Sequence, residues 1–352
     1  MKLQDERGLS AMTKSIQADQ LEEGAALLQS GALVAFPTET VFGLGAIANQ
    51  EAAVKSVYTV KGRPSDNPLI VHIADANQIY DYMMDDDGKR HQIIEKLAAN
   101  FWPGPLTLVV PVKKDIFPAV VTGGMETVGI RLPDQELTRE LIRKTGFPIV
   151  GPSANISGKP SPTSVDHVLH DFDGVIGGII NAEPTRIGVE STVLDLTDER
   201  GLIILRPGYI TKSMITEVIP DVPVFLAGSI ANDATEAPKA PGMKYIHYSP
   251  NQPVVAVSRE NMTQFLASLS DQEISFALAA TDKTLERFGQ MTEVSFKLGN
   301  NIDSATQALF AALRFFDDQP NIQQIVVELF PDIEENAAYR NRLIKASSLV
   351  VE

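Results

Sequence analysis

Short apolar runs, each followed by a helical stretch, alternate along most of this 352-residue chain. Runs such as residues 31–36 (GALVAF) and 68–74 (PLIVHIA) are almost continuously hydrophobic, which is typical of strands buried on both faces. The stretch at residues 19–30 places Leu21, Ala25 and Leu28 on one helical face. Strands that alternate with helices in this way predict the α/β fold class.

The pattern divides the chain into three parts. Residues 1–230 are predicted to form a domain with a twisted, mixed sheet, and residues 251–352 a smaller domain with a Rossmann-like parallel sheet. Between them, residues 231–250 carry three prolines and many small residues, which is typical of an extended linker. No phosphate-loop motif occurs after residue 250, so we expect a supporting or regulatory role for the last domain.

Composition narrows the functional classes. A net charge of −15 disfavours phosphate polymers as partners unless a local basic patch exists. Cysteine is absent, which excludes disulfides, thiolate zinc sites and a cysteine nucleophile. No apolar run is long enough to span a membrane and the first residues contain no apolar segment, so we expect a soluble, cytoplasmic protein.

The polar residues of greatest interest begin at residues 37–68. Thr38, Glu39 and Thr40 follow an apolar strand, and we expect a glycine-containing turn and a helix after them. Lys61 and Arg63 then lie two residues apart on a short loop, where a lysine and the planar fork of an arginine can clamp a polyphosphate. The alternative is a solvated helix end whose cations complement the helix dipole.

A second polar segment, residues 151–158 (GPSANISG), follows another apolar strand. Ser153 and Asn155 would lie beyond the carboxyl end of that strand, where α/β sheets commonly bind ligands. A turn capped by its own serine and asparagine side chains is the alternative. We predict that this segment faces residues 37–68.

Two residues in apolar strands need partners. Thr127 and Arg131 share a strand face by period two, and a buried Arg131 needs an anion, which is either a substrate carboxylate or an internal Asp or Glu. His72 lies within residues 68–74 and is either a hydrogen-bonded core histidine or a ligand-binding residue.

Two weaker patterns favour structural explanations. Residues 43–48 match a GxGxxA dinucleotide fingerprint, but residues 37–42 separate them from the apolar strand, so we expect the glycines to allow a tight turn instead. His167 and His170 are three apart with no further ligand to complete a metal site, which favours a helix surface.

Together, several motifs resemble the YrdC/Sua5 family, and in particular its longer, two-domain members. They are PTETVFGLG, KGRPSDNPL, WPGPLT, TVGIRLP, GPSANISGKPSPT, GVESTV, LRPG and PGMKYIHYSP, in the family's order. The resemblance implies a nucleotidyltransferase that converts L-threonine, bicarbonate and ATP, with Mg²⁺, into L-threonylcarbamoyl adenylate and pyrophosphate. The product would pass to a downstream threonylcarbamoyl-transferase machinery for the t6A37 modification of tRNAs that read ANN codons. The resemblance allows direct tRNA binding without requiring it, and no membrane partner is implied.

The resemblance also implies roles for individual residues. The core around the phosphates would be Lys61, Arg63, Ser153 and Asn155. The ATP side would add Asn67, Thr127, Thr163, Arg206, Tyr245, His247 and Tyr248, the last three as a lid. Threonine would be held by Thr40, His72, Arg131, Ser153 and Ser191. The choices between Ser191 and Thr192, and between Ser161 and Thr163, remain open.

Two other readings of the residues remain. One is an RNA-binding or ribosome-associated factor with a concave basic surface, although the net charge opposes it. The other is a carbamoyl-transfer or hydrolytic enzyme on the same fold. Related carbamoyl-transfer proteins carry zinc-finger cysteines, which this chain lacks.

Overall fold

The computed structural model describes residues 12–84, 88–228, 248–292, 294–319 and 321–352. They form two compact units. The first comprises residues 12–84, 88–157, 164–185 and 190–228, and the second comprises residues 158–163, 186–189, 248–292, 294–319 and 321–352. The domain limits near residues 230 and 250 stay predictions.

One mixed sheet forms the centre of the first unit. Its strands are β1 (Lys14–Ile16), β2 (Val34–Phe36), β3 (Gly43–Ile47), β4 (Ile70–His72), β5 (Leu106–Pro111), β6 (Thr127–Arg131), β7 (Ile149–Val150), β8 (Gly178–Ile180), β9 (Thr192–Asp195), β10 (Leu202–Arg206) and β11 (Val224–Leu226). They pair in the order β1-β8-β2-β3-β7-β4-β6-β5-β9-β10-β11, with parallel and antiparallel neighbours. The predicted mixed sheet is therefore confirmed.

Helices cover this sheet on both faces. They are α1 (Leu21–Gln29), α2 (Glu51–Lys61), α3 (Ile79–Tyr82), α4 (Lys89–Phe101), α5 (Ala119–Thr122), α6 (Glu136–Thr145), α7 (Val165–Phe172) and α8 (Lys212–Val218). Helix α2 ends at Gly62 in the left-handed conformation (φ 61°), which a glycine adopts without steric cost. Ser164 caps the N-terminus of helix α7, and its side chain accepts a hydrogen bond from the His167 N–H.

The two faces of the sheet differ in character. Alternate strand residues such as Val71, Leu108 and Ile130 belong to the main apolar core together with residues of α2 and α4. On the opposite face, α1 and α6 pack over Phe36 and Ile149 in a second cluster. By the period-two alternation of strands, His72, Arg131 and Thr107 also point away from the main core. His72, Arg131 and Thr107 therefore lie on the same face of the sheet as Phe36 and Ile149, and α1 and α6 cover only one end of that face.

The second unit has the predicted Rossmann-like sheet. Its strands are β12 (Val254–Ser258), β13 (Phe276–Ala280), β14 (Val294–Lys297), β15 (Gln324–Leu329) and β16 (Ser347–Val351), and its helices are α9 (Met262–Asp271), α10 (Asp282–Phe288), α11 (Ile302–Asp317) and α12 (Ala337–Ala346). The strands pair in the order β14-β13-β15-β12-β16 and all pairs are parallel.

Residues 158–163 belong to this unit through polar contacts. The Arg314 guanidinium donates to the Pro160 carbonyl from Nε at 3.0 Å and from Nη2 at 2.7 Å. Lys159 Nζ lies 2.9 Å from Asp317 Oδ2, and the Ser249 N–H donates to the Gly158 carbonyl at 2.8 Å.

One local prediction is wrong. Residues 43–47 form strand β3, antiparallel to β2 with Phe36 opposite Gly43, and not a turn. A Cβ atom on Gly43 would lie 2.5 Å from the Phe36 ring, so the ring needs a glycine there. Because these glycines lie in an antiparallel strand, they do not form the strand-to-helix turn that holds a dinucleotide.

Candidate active site

The two polar segments singled out in the sequence meet in the first unit. Lys61, the last residue of α2, donates from its ammonium group to the carbonyl oxygens of Ser153 and Asn155. Its own carbonyl accepts from the Ser157 N–H at 2.8 Å. Lys61 is almost completely buried, so these carbonyls replace the water that its charge would otherwise bind. The predicted convergence of residues 37–68 and 151–158 is confirmed for Lys61.

Arg63 behaves differently from Lys61. Its Nη2 donates to the Pro68 carbonyl at 3.1 Å and its Nε to the Asn67 carbonyl at 3.4 Å, so the guanidinium contacts its own loop. Tyr58 supports the same loop by donating to the Asn67 carbonyl at 3.0 Å, and its burial raises the pKa of its hydroxyl to about 12. The buried Asn67 Oδ1 has no hydrogen-bond partner among the described residues. Hydrogen bonds to its own carbonyls thus fix the shape of the loop, and the side-chain oxygen of Asn67 remains available as an acceptor.

Arg131 has an internal carboxylate partner. Its Nη2 lies 2.7 Å from Glu39 Oε2, and the two side chains are 5% and 1% exposed. Its Nη1 donates to Thr40 Oγ1 at 3.0 Å, and Thr40 Oγ1 lies 2.8 Å from Thr38 Oγ1. Glu39 Oε1 has no hydrogen-bond partner within the described ranges. The sequence left the choice between a substrate and an internal carboxylate open, and the structure shows the internal one in contact.

His72 is the register partner of Arg131 in the adjacent parallel strand. Burial, followed by the positive charge of Arg131, lowers the pKa of His72 well below its usual value. Its ring meets Phe36 edge to face, with 5.4 Å between centroids. A Cβ atom on Gly151 would lie 2.5 Å from the Phe36 ring and 2.8 Å from the His72 ring. Glycine at residue 151 therefore lets the backbone approach a neutral imidazole.

The structure separates Ser191 from Thr192. Ser191 Oγ lies 2.8 Å from Thr107 Oγ1 and accepts a hydrogen bond from Arg206 Nη2 at 3.2 Å. Thr192 Oγ1 instead donates to the Ile210 carbonyl at 2.7 Å. Ser191 is therefore the residue whose hydroxyl joins the polar cluster.

Two members of this cluster were not assigned a role from the sequence. Thr107 lies within the quoted WPGPLT motif, and a threonine in an otherwise apolar buried strand was the available signal. Glu39 lies in PTETVFGLG, and the need of Arg131 for an anion signalled that an internal Asp or Glu could be its partner, without identifying which one.

The remaining predicted residues lie in three places. Thr127 is half-buried at the start of β6, on the Arg131 face. Ser161, Thr163 and Tyr248 are buried in the second unit, where the Tyr248 ring lies 5.1 Å from that of Phe310. Tyr245 and His247 lie outside the described residues.

Comparison with known proteins decides the family. A family model named Sua5_yciO_yrdC and described as telomere recombination matches residues 26–208. A second, named Sua5_C and described as the threonylcarbamoyl-AMP synthase C-terminal domain, matches residues 210–348. The chain belongs to the Sua5 family.

Sua5 relatives match over nearly the whole chain. A threonylcarbamoyl-AMP synthase of Bacillus subtilis is 44% identical over 330 residues, which cover 93% of each chain. One of Pyrococcus abyssi is 41% identical over 338 residues, covering 94% of this chain and 95% of that protein. The crystal structure of P. abyssi Sua5 complexed with L-threonine matches with a TM-score of 0.85 and 37% identity, over 97% of this chain and 100% of the other.

No helix in the described ranges combines the length and hydrophobicity that a bilayer crossing needs.

Proposed function

We propose that this Sua5 chain is a threonylcarbamoyl-AMP synthase that uses L-threonine, bicarbonate and ATP. The observation that carries the proposal is the 44% identity to a synthase of that name across 93% of both chains. The product is L-threonylcarbamoyl adenylate, which a downstream transferase would use for t6A37 formation. The convergence of Lys61 with Ser153 and Asn155 supplies the physical basis.

The reaction needs no protein nucleophile. The threonine amine joins the carbon of CO₂, derived from bicarbonate, and loses a proton to form a carbamate. A carbamate oxygen then attacks the α-phosphorus of ATP, and the bond to the departing pyrophosphate breaks. The protein's task is to align the reactants and to balance the charge on the phosphates. A cysteine-free chain with buried cations suits this chemistry.

The phosphates are proposed to bind where Lys61 meets the 151–158 segment. Because the Ser153 and Asn155 carbonyls fix the Lys61 ammonium, its charge is already in place before the nucleotide arrives. Arg63 stiffens the adjoining loop through its hydrogen bond to the Pro68 carbonyl, and the residue is only partly buried. The other residues proposed for the ATP side are Asn67, Thr127, Thr163, Arg206, Tyr245, His247 and Tyr248.

Threonine is proposed to bind around Arg131, Thr40, His72, Ser153 and Ser191. The contacts of Arg131 with Glu39, Thr40 and the Gly104 carbonyl use three of its five N–H groups. Two N–H groups remain without a partner in the described part of the chain, and the threonine carboxylate can accept from them. The unpartnered Glu39 Oε1 offers an acceptor for a donor group of the same substrate.

Mg²⁺ is proposed to enter with ATP. Among the described residues there is no cluster of three or more His, Cys, Asp or Glu side chains that could hold a metal. An ion held mainly by triphosphate oxygens and water, the usual mode for Mg²⁺ with nucleotides, does not need such a cluster. When bound, it would neutralise phosphate charge, and no side chain is assigned to it.

An assay of pyrophosphate release tests the proposal. The full chain is incubated with ATP, Mg²⁺, bicarbonate and threonine, and each component is omitted in turn. Release that requires all of them, with a product of the mass of threonylcarbamoyl adenylate, supports the proposal. ATP turnover that does not depend on threonine or bicarbonate would refute it.

A further inference from the structure

The second unit contains a cavity that the proposed reaction does not use. Its volume is about 520 Å³. Its walls include Ser258, Arg259 and Glu260 after β12, and residues 328–332 at the end of β15. Arg340 of α12 and Glu352 complete one side. All of these residues belong to the second unit, so the cavity is distinct from the Lys61 and Arg131 cluster of the first.

The cavity lies at a recognised type of ligand position in parallel sheets. Strands β15 and β12 are neighbours, yet the chain leaves them in opposite directions along the sheet, from β12 towards β13 and from β15 towards β16. Because such crossovers are right-handed, the helices that follow these two strands lie on opposite faces. The loops therefore part at the carboxyl ends of β12 and β15 and leave a crevice, where open α/β sheets bind their ligands.

One cation is held in this crevice with donor capacity to spare. Arg259 donates from Nε to Glu328 Oε1 at 2.9 Å and from Nη2 to Thr281 Oγ1 at 3.2 Å. Glu328 is 2% exposed and is itself fixed, because its Oε2 accepts from the N–H and the hydroxyl of Thr281 at 2.8 and 2.9 Å. The Arg259 side chain is half exposed, and its Nη1 has no partner among the described residues. A ligand carboxylate can accept from that edge of the guanidinium.

Arg340, the other cation of the cavity, is already occupied. Its guanidinium donates to the Phe330 carbonyl and lies 2.5 Å from Glu352 Oε1 and 3.2 Å from Asp332 Oδ1. Its role is to hold the rim formed by these residues. Arg259 is therefore the cation available to a ligand.

The other residues that line the cavity indicate which class of ligand it can bind. Two arginines face four carboxylates (Glu260, Glu328, Asp332 and Glu352), so the lining is net negative and disfavours phosphates. Glu260, next to Arg259, is exposed and has no ion-pair partner in the described ranges. Leu329, Phe330 and Pro331 add an apolar wall. A free cation edge, an adjacent free carboxylate and an apolar wall match a zwitterion with an apolar side chain.

We propose that this cavity binds a free α-amino acid, with its carboxylate on Arg259 and its ammonium on Glu260. The inference goes beyond the proposed function, because it adds a second small-molecule site at the carboxyl ends of β12 and β15, where the proposed reaction uses no residue.

Isothermal titration of the full chain with a panel of amino acids tests the inference. Threonine is left out because the proposed function already gives it a site. Serine is left out because it differs from threonine by only one methyl group. We expect at least one apolar amino acid to bind, and Arg259→Gln and Glu260→Gln each to weaken that binding by about 10-fold or more, since each removes a charge-assisted contact. Arg287→Gln is the matched control, because this arginine of α10 lies over the Phe288 ring and does not line the cavity.

The outcomes separate this inference from the proposed reaction. Pyrophosphate release with saturating substrates should be unchanged in Arg259→Gln, and urea titration checks that the variant, including its second unit, is folded. Absence of binding by every amino acid in the panel overturns the inference, as does equal affinity in Arg259→Gln and the unaltered chain. Binding of inorganic phosphate or nucleotide that Arg259→Gln abolishes, without amino-acid binding, overturns it too. None of these results affects the synthase proposal, which the threonine-dependent assay tests alone.

Discussion

Arg131 Nη2 lies 2.7 Å from Glu39 Oε2 in an almost fully buried ion pair. Glu39 belongs to the polar turn after β2 and Arg131 ends β6, so the pair ties together two of the elements that surround the proposed threonine site. A buried pair is strongly destabilised when only one partner is removed, because the other charge is left uncompensated. The pair therefore controls both the position of Arg131 and the stability of the first unit.

Glu39→Gln should lower the free energy of unfolding by about 3 kcal/mol, since it leaves the Arg131 charge unpaired. Urea titration of the full chain measures the change. Glu51→Gln is the matched control, because Glu51 pairs with Lys55 on the exposed surface of α2 and should cost no more than about 1 kcal/mol. Equal losses of unfolding free energy in the two variants would show that the buried ion pair contributes no more to stability than the exposed one.

Lys61→Ala should reduce the rate of pyrophosphate release about 10²–10³-fold, or about 3–4 kcal/mol of transition-state stabilisation. The reason is the loss of the fixed ammonium between the α2 end and the 151–158 segment. Lys55→Ala, on the same helix but exposed, should retain near-normal turnover. Circular dichroism is needed alongside, because Lys61 also holds two backbone carbonyls. Normal turnover in a folded Lys61→Ala protein would remove Lys61 from the mechanism.

Ser191→Ala should change the KM for threonine, whereas Thr192→Val should change the stability of the fold. Ser191→Ala removes the hydroxyl that contacts Thr107 and Arg206, so the KM for threonine should rise about 10-fold. Thr192→Val removes a hydrogen bond to the Ile210 carbonyl, so stability should fall by about 1 kcal/mol with KM unchanged. Steady-state kinetics and urea titration on both variants decide the matter. The reverse pattern would assign the threonine contact to Thr192.

His72 should make the protein less stable in mild acid. Its folded-state pKa is lowered by burial and by Arg131, so below the ordinary histidine pKa of about 6.5 the unfolded chain binds a proton that the folded chain does not. The free energy of unfolding should then fall by up to about 1.4 kcal/mol per pH unit as pH drops below 6.5, and be unaffected by this group above it. His72→Gln should remove this dependence when urea titrations at pH 5.5 and 7.5 are compared.

His170→Gln is the control for that experiment. His170 is exposed and its Nδ1 lies 3.0 Å from Asp171 Oδ1, so the slope due to His72 should persist in the variant. A pH dependence unaltered by His72→Gln would mean that another group causes it.

Periodicity in the sequence predicts much of this fold. The alternation after residue 253 predicts the parallel sheet of the second unit, because each apolar run is bounded by a clear helical segment. Period two likewise places Thr127 and Arg131 on one face of β6. Strand β3 was not predicted, since glycine disfavours strands and the reason for it, the Phe36 ring, lies in the neighbouring strand.

The site residues are predictable as types, but their partners depend on tertiary contacts. Arg131 needs an anion, yet only the packing of the turn after β2 shows that Glu39 supplies it. Ser191 and Thr192 are both hydroxyl residues, and only the closeness of Thr107 and Ile210 distinguishes their contacts. Strand β1 escaped prediction because it has only three residues, of which Ile16 alone is buried and apolar.

Product analysis with ¹³C-bicarbonate tests the central claim most directly. The chain is incubated with ATP, Mg²⁺, threonine and the labelled bicarbonate. The nucleotide products are then separated and their masses are measured by mass spectrometry. The account predicts pyrophosphate and a threonyl-containing adenylate that carries the label, because a carbamate oxygen attacks the α-phosphorus. Inorganic phosphate and ADP with no labelled adenylate would contradict it.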